Sequence, residues 1–123
     1  MLGNQKGFTL IEIIAVLVIL GILAAVAVPK YMDLTNEAQI KALSSAVAEG
    51  KARVNMYAAK DLLKNGSINT ASFTNANLGT DAGDFSLTYA AGATSVAITA
   101  AGTGGAIPTS VSTTATAPFP TTN

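Results

Sequence analysis

The fold of this chain is decided by residues 7–34, which read GFTLIEIIAVLVILGILAAVAVPKYMDL. From Phe8 to Val28 the only charged side chain is Glu12. A helix of these 21 residues is about 31 Å long, close to the thickness of the hydrocarbon core of a bilayer. Because no face of this helix is polar, we expect it to lie in lipid or at the centre of a helix bundle. Lys6 and Lys30 flank the run, which predicts a cytoplasmic leader and an exported remainder.

The composition of the chain excludes several classes of function. A length of 123 residues allows one small domain beside the apolar run. Seven Lys and Arg balance seven Asp and Glu, so there is no net charge to attract nucleic acid, and no such partner is predicted. Histidine and cysteine are absent, which excludes Ser–His–Asp triads, Cys–His nucleophiles, His/Cys zinc sites and disulfides. We therefore predict a protein that is not an enzyme and has no cofactor.

An ordinary secretory signal peptide is one interpretation of the apolar run. Lys6 would be its basic region and residues 25–27, Ala-Val-Ala, its cleavage site, so that the mature protein would be a secreted binding module. However, the run is longer than the usual apolar region of about 7–15 residues, and it contains Glu12. Cleavage there would also leave the amphipathic helix that follows without a partner.

The segment KGFTLIEIIAVLVILGILAAVAVPKYMDL, residues 6–34, resembles the N-terminal segment of type IV pilins and pseudopilins. The matching features are a short polar leader that ends in Gly7, then Phe8, then Glu12 as the fifth residue of the mature chain. The resemblance implies that a prepilin peptidase of the bacterial inner membrane cuts after Gly7 and that Phe8 is N-methylated. A leader of seven residues followed by Phe resembles the type IVa group.

The same resemblance implies a structural role. The mature chain would wait in the inner membrane as a single-pass protein and then polymerise with copies of itself, at a pilus assembly platform, into a surface filament. Gly21 and Pro29 fall at matching positions, and Pro29 is expected to kink the helix. In a pilus these two positions would let the helix unwind on assembly, although Gly and Pro are also simply tolerated in membrane helices.

The carboxylate of Glu12 needs a partner in an apolar environment. Cleavage after Gly7 would create an α-amine on Phe8, and the ordinary pKa of such an amine, about 7.7–8.0, keeps it largely protonated at neutral pH. Phe8 and Glu12 lie four residues apart, so they could pair within one helix. Pairing between neighbouring copies would instead set the axial register of the polymer, which is the role assumed in the family. A third possibility is that Glu12 only reaches the lipid headgroups.

The second part of the helix, residues 30–65, is predicted to be amphipathic. Its apolar stripe is formed by residues at helical spacing: Ile40, Leu43, Val47, Gly50, Val54 and Tyr57. Gly50 within this stripe would allow close approach of a sheet or a helix. Asn65 and Gly66 are residue types that end a helix, so one helix is predicted from Phe8 to Lys64.

Residues 66–123 are predicted to form a small β-sheet head. The complete chain would then have an α+β fold like that of the pilins it resembles, with a leader at 1–7, an apolar helix at 8–29 and an amphipathic helix at 30–65. Alternating apolar and polar side chains predict strands at 84–90 and 95–99, and a weaker third strand at 107–112. The Asn/Thr/Ala/Gly-rich segment 67–83 is predicted to be a surface loop. The tail 109–123, TSVSTTATAPFPTTN, is interpreted as a low-complexity strap or a frayed terminus.

A major pseudopilin of a type II secretion system is the alternative that shares every N-terminal feature. Its head would be expected to bind calcium, and Asp81 and Asp84 are weak candidates for the ligands. Their spacing does not follow a calcium-loop pattern, and Asp is frequent in turns in any case. No metal site is therefore predicted with these residues as its basis.

Overall fold

The computed structural model describes Gly3 and residues 6–120. Four residues of the predicted leader and the last three of the predicted tail lie outside the described residues. The chain divides into two compact units between Glu37 and Ala38. The elements, in chain order, are helix α1 (Leu10–Asn65), a 3-10 turn (Thr70–Ser72), helix α2 (Asn75–Leu78) and strands β1 (Asp81–Ala82), β2 (Phe85–Ala91), β3 (Ser95–Gly102) and β4 (Ser112–Pro118). The strands form one antiparallel sheet in the order β1-β2-β3-β4, so the predicted α+β class is confirmed.

Helix α1 is continuous through Pro29 and is long and apolar enough to cross a membrane. The large apolar side chains of its first unit, from Leu10 to Leu34, are all exposed in the single chain. The helix ends as predicted, because Gly66 adopts a left-handed φ of 70° and donates its N–H to the carbonyl of Leu62 at 2.9 Å. A non-glycine residue at this position would be strained.

The second half of α1 buries one stripe against the inner face of the sheet. Leu43, Val47, Gly50 and Val54 are buried as predicted, while Tyr57 is half-buried. A Cβ atom at Gly50 would lie 2.7 Å from Cγ2 of Ile98 in β3, so glycine is what lets the sheet approach the helix.

The prediction that Ile40 belongs to this buried stripe was wrong. Its side chain is 62% exposed, because the cover over α1 begins only at Leu43. Helical spacing indicates which face of a helix is apolar, but it does not indicate how far along the helix the covering sheet extends.

The β2–β3 hairpin lies close to its predicted position. Leu87 and Tyr89 of β2, and Val96, Ile98 and Ala100 of β3, are buried at alternate positions. The connection is short, and Gly92 donates its N–H to the carbonyl of Ser95 at 2.8 Å. The alternation of apolar and polar residues was therefore sufficient to predict these two strands.

The prediction of a third strand at 107–112 was wrong, because that segment is a turn and the strand lies later. Gly104 donates to the carbonyl of Ile107, and Val111 to that of Pro108, each at 3.0 Å. The strand is instead β4, Ser112–Pro118, which pairs with β3 along its whole length. The Thr-rich tail is thus neither a loose strap nor frayed up to Pro118, since threonine favours strands and Ala117 faces the core.

The prediction that 67–83 is only a surface loop was also wrong. This segment contains the 3-10 turn, α2 and β1, and it places Phe73 and Leu78 in the core. Together with the partly buried Ile68, these two side chains pack against the core formed by α1 and the sheet. The segment was predicted to be a loop because most of its residues are Asn, Thr, Ala and Gly, which are typical of loops.

Candidate functional site

The predicted cleavage position lies in an exposed segment that precedes the helix. Gly7, Phe8 and Thr9 are not part of α1, and the side chain of Phe8 is 86% exposed. Apart from the adjacent residues, no atom of the described residues lies within 4 Å of the position that a Cβ of Gly7 would take. The Gly7–Phe8 peptide bond is therefore in an open stretch of chain, where a peptidase can reach it without unfolding a helix.

Glu12 lies in the first turn of α1 and is bonded to Thr9. The N–H of Thr9 donates to Oε2 of Glu12 at 2.8 Å, and the hydroxyl of Thr9 donates to the same oxygen at 2.9 Å. The N–H of Glu12 points back to Oγ1 of Thr9 at 3.4 Å. This reciprocal arrangement is a capping box, in which a Thr and a Glu three residues later satisfy the free donors of the first turn.

Thr9 is a site residue that the sequence analysis missed. The pattern Thr-x-x-Glu directly before an apolar run is a recognised helix-start motif, so it was present in the sequence. The capping box gives Glu12 a local role that needs neither the membrane surface nor a second chain. It also leaves Phe8 outside the bonding of the carboxylate.

Pairing of Glu12 with the Phe8 amine of a neighbouring copy remains a prediction. Cleavage after Gly7 would leave Thr9 and Glu12 in place and would put the new amine one residue before the cap. Glu12 also borders a shallow apolar groove formed by Phe8, Ile13, Val16 and Leu17. A carboxylate at the rim of an apolar groove is therefore held in one orientation before any partner arrives.

Gly21 and Pro29 both lie inside α1 and in its exposed first unit. Beyond the neighbouring residues and the backbone of its own helix, no atom of the described residues lies within 4 Å of the position that a Cβ of Gly21 would take, so packing among these residues does not require glycine there. Their predicted role in helix extension stays a prediction.

The structure gives Asp81 a side-chain role in a turn, and it gives Asp84 backbone contacts. A carboxylate oxygen of Asp81 accepts from the N–H of Gly83 at 2.9 Å, which closes the β1–β2 turn. The carbonyl of Asp84 accepts both the N–H and the hydroxyl of Thr103 at 3.1 Å. Within the described part of the chain, no three His, Cys, Asp or Glu side chains come together as metal ligands would.

Arg53 is a second residue whose role the sequence analysis missed. Its guanidinium donates to the carbonyl of Gly79 at 2.8 Å and to that of Asp81 at 2.6 Å, and it forms an ion pair with Glu49 one turn earlier. The hydrogen bond that Arg53 donates to Glu49 raises the pKa of Arg53. Arg53 thus fastens the segment before β1 to α1, and nothing in local sequence spacing indicates contacts 26 and 28 residues away.

The C-terminal end of the sheet is fastened by an aromatic cluster in place of a disulfide. The ring of Phe73 packs edge-on against Tyr57 of α1 at 5.2 Å between centroids, and against Phe119 at 4.8 Å. Phe119 also donates its N–H to the carbonyl of Thr94 at 3.0 Å. Helix, connecting segment and tail therefore meet at one point without any cysteine.

The N-terminal residues match a known protein family. Residues 2–28 match the prokaryotic N-terminal methylation motif, a range that includes Gly7, Phe8, Glu12 and Gly21. No solved structure matches the chain.

Several curated proteins are similar to the N-terminal part of the chain. The type IV major alpha-pilin of Moraxella bovis is 49% identical over 53 residues, which cover 43% of this chain and 33% of the relative. A fimbrial protein of Pseudomonas aeruginosa is 44% identical over 68 residues, covering 46% and 44%. The type IV narrow pilus major component of Thermus thermophilus is 53% identical over 47 residues, covering 36% and 40%.

The predicted resemblance to type IV pilins is confirmed by these matches. The matched region spans less than half the length of each of these three relatives.

Proposed function

We propose that this chain is the structural subunit of a type IV pilus and has no catalytic role. The observation that carries the proposal is the first unit of α1, whose large apolar side chains are exposed from Leu10 to Leu34 and in which Glu12 is the only charged residue before Lys30. Such a surface needs lipid before assembly and other helices afterwards. The open Gly7–Phe8 bond directly before this helix supports the step that connects the two states.

Maturation begins in the inner membrane, which the helix crosses once. A prepilin peptidase removes residues 1–7 by cutting after Gly7 and methylates the new N-terminus at Phe8. The segment 8–29 then serves as the filament core, residues 30–65 connect it to the head, and residues 66–123 form the head.

During assembly, Glu12 keeps its cap on the first turn until a neighbouring copy presents its Phe8 amine. The capping box holds the carboxylate at the start of the helix, at the rim of the apolar groove. A charged pair buried among apolar helices is stable at one axial position only, because a displaced copy would leave both charges unpaired. Gly21 and Pro29 loosen the helix between this pair and the head.

A pilus is preferred to a type II secretion pseudopilus because the similar proteins are named as pilus and fimbrial subunits. A calcium site in the head would favour the pseudopilin alternative, but among the described residues no three His, Cys, Asp or Glu side chains come together around Asp81 and Asp84.

The experiment that tests this proposal is the intact mass of the subunit recovered from sheared surface filaments. The expected mass is that of a chain starting at Phe8 with one added methyl group. A chain that starts at Val28, as cleavage after residues 25–27 would produce, contradicts the proposal and favours a secreted module. Absence of the chain from any surface filament contradicts it as well.

A further inference from the structure

The two edges of the sheet differ in how they are protected. The edge formed by β1 and the exposed side of β2 is closed, because Leu87 donates its N–H to the carbonyl of Thr80 and Tyr89 donates its N–H to Oδ1 of Asn75, both at 2.7 Å. β1 itself has only two residues, and one of them is the charged Asp81. Short strands, charges and covering segments are the usual means by which proteins prevent an edge from pairing with another chain.

Among residues 6–120, neither a charge nor a covering segment protects the opposite edge, β4. It is seven residues long, and Ser112, Thr113, Thr114, Thr116 and Pro118 are exposed. Pro118 is its last residue, so no proline interrupts it. The whole stretch from residue 85 to residue 123 contains no Asp, Glu, Lys or Arg. A long, neutral and exposed edge strand is a site at which a further strand pairs.

The hydrogen bonds at both ends of β4 show which backbone groups face outward. Val111 accepts from the N–H of Gly102, and Phe119 donates to the carbonyl of Thr94, each at 3.0 Å. Because alternate residues of an antiparallel strand point to opposite sides, the odd-numbered residues of β4 bond to β3. Ser112, Thr114 and Thr116 therefore direct their N–H and C=O groups away from the sheet.

We propose that the β4 edge is a lateral docking surface for the β4 edge of a second copy of this chain, which joins neighbouring filaments. The pairing is antiparallel and two-fold, with Thr114 opposite Thr114 and Ser112 opposite Thr116, so that Pro118 stays outside the ladder. Each of these pairs exchanges two backbone hydrogen bonds. Thr99 and Thr114, whose hydroxyls lie 2.9 Å apart across β3 and β4, already show the side-chain pairing that such a contact repeats.

A second copy suits this edge better than a foreign peptide does. The side chains of Ser112, Thr114 and Thr116 carry only hydroxyl groups, with no charge and no ring by which a particular peptide would be selected along the strand. Two neutral edges meet without repulsion. One strand pair is a small contact, but every subunit of a filament would present the same edge, so many weak contacts act together.

The symmetry of the contact determines which copies it joins. The two-fold axis of this strand pairing is perpendicular to the sheet, so it reverses every direction in the plane of the sheet, including that of the part of α1 packed on the sheet. Subunits of one filament, in contrast, all point the same way. The β4 pairing therefore links antiparallel filaments and produces bundles. This inference rests on the proposed function, since it needs filaments in which the head is outside.

The test compares full-length filaments of two lysine variants by electron microscopy and low-speed sedimentation. In the variant Thr114→Lys with Thr116→Lys, like charges meet across the contact, and we expect the bundled fraction to fall at least about tenfold while single filaments form at normal yield. The control, Thr88→Lys with Ala90→Lys, adds the same charge to exposed positions of β2 and should bundle like the wild type.

A neutral variant separates backbone pairing from charge. Thr116→Pro removes one N–H that points away from the sheet and leaves the bonds to β3 intact, and edge strands tolerate proline at such positions. The variant should therefore reduce bundling without adding charge. Because the natural chain has no cysteine, Thr114→Cys should also form a dimer through a disulfide on oxidation of bundles, whereas Thr88→Cys should not.

Three outcomes would overturn the inference. These are wild-type filaments that never bundle, control filaments that lose bundling as fully as the edge variant, or edge variants that form no filaments because β4 is used inside the filament. A wild-type chain that forms no filaments at all would instead overturn the proposed function, so the two failures are distinguishable.

Discussion

The first half of α1, up to Glu37, and its second half, from Ala38, are one continuous helix but bury their apolar surface in different ways. In the first half every large apolar side chain is exposed, and Leu17 is a typical example at 62%. In the second half one stripe is buried against a sheet whose central side chains, such as Leu87, are 0% exposed. The first half therefore depends on other molecules, and the second half belongs to a unit with its own core.

The largest expected effect is the loss of filaments on substitution of Glu12. Glu12→Ala should leave cleavage after Gly7 largely intact and abolish polymer growth, because the carboxylate has no part in the exposed bond that is cut. The measurement is the intact mass of the membrane-held chain together with a count of surface filaments.

Two matched variants separate the charge of Glu12 from its cap. Glu12→Gln keeps an oxygen that can accept from Thr9 but removes the charge. Thr9→Ala keeps the charge and the bond from the backbone N–H of residue 9, but it removes both hydroxyl contacts of the capping box. If charge pairing sets register, Gln should block growth as fully as Ala, and Thr9→Ala should still polymerise. Normal fibres from Glu12→Gln would show that capping, and not charge, is what Glu12 provides.

The next largest effect is expected when a leucine is truncated to alanine in each of the two units. Leu87→Ala removes a fully buried side chain from the head and should lower its free energy of unfolding by about 2–5 kcal/mol. Leu17→Ala should leave the unfolding of the head unchanged and weaken only assembly. The stability of the head in both variants is measured by thermal unfolding of the full chain in detergent, monitored through the near-UV circular dichroism of the head. A loss of head stability in Leu17→Ala would contradict the comparison.

A smaller effect is expected for the Arg53 contacts that fasten the segment before β1. Arg53→Met keeps much of the apolar stem but removes the bonds to Gly79 and Asp81, and it should cost about 1 kcal/mol of head stability, since the side chain is partly open to water. Amide hydrogen exchange should rise most between Thr80 and Gly83. Lys60→Met, an exposed cation of the same helix, is the control, and equal losses in both variants would argue against a specific role of Arg53.

The smallest effect concerns the hydroxyl of Tyr89, which is buried and has no hydrogen-bond partner among residues 6–120. Burial raises the pKa of Tyr89, and the nearby Arg53 partly offsets this shift. A raised folded-state pKa means that stability is fully present below the ordinary pKa of 10.0 and is lost as pH rises above it. Tyr89→Phe should therefore be neutral or slightly stabilising at pH 7 and should reduce the loss of stability above pH 10. If Tyr89→Phe loses as much stability above pH 10 as the wild type, other titrating groups cause that loss.

Most of α1 and of the β2–β3 hairpin could be predicted from local sequence patterns. The unbroken apolar run, the stripe from Leu43 to Val54 and the alternation around Leu87 each repeat with the period of their element, so each could be recognised without knowledge of the rest of the chain. Similarity to pilins added the expected roles of Gly7, Phe8 and Glu12, which no periodicity contains. Thr9 belongs to the same stretch, and its spacing of three residues from Glu12 is the local pattern of a capping box.

Other features could not be predicted from local patterns, because they are contacts between residues far apart in the chain. Arg53 bonds to carbonyls beyond position 78, and Phe73 meets both Tyr57 and Phe119. The tail becomes β4 only because β3 offers it a free edge, since threonine and alanine alone are also compatible with a loose chain. The periods of helices and strands depend on residues close together in the chain, so they can be recognised in the sequence. Which neutral segment becomes the last strand of a sheet depends on which backbone groups the rest of the folded chain leaves unpaired.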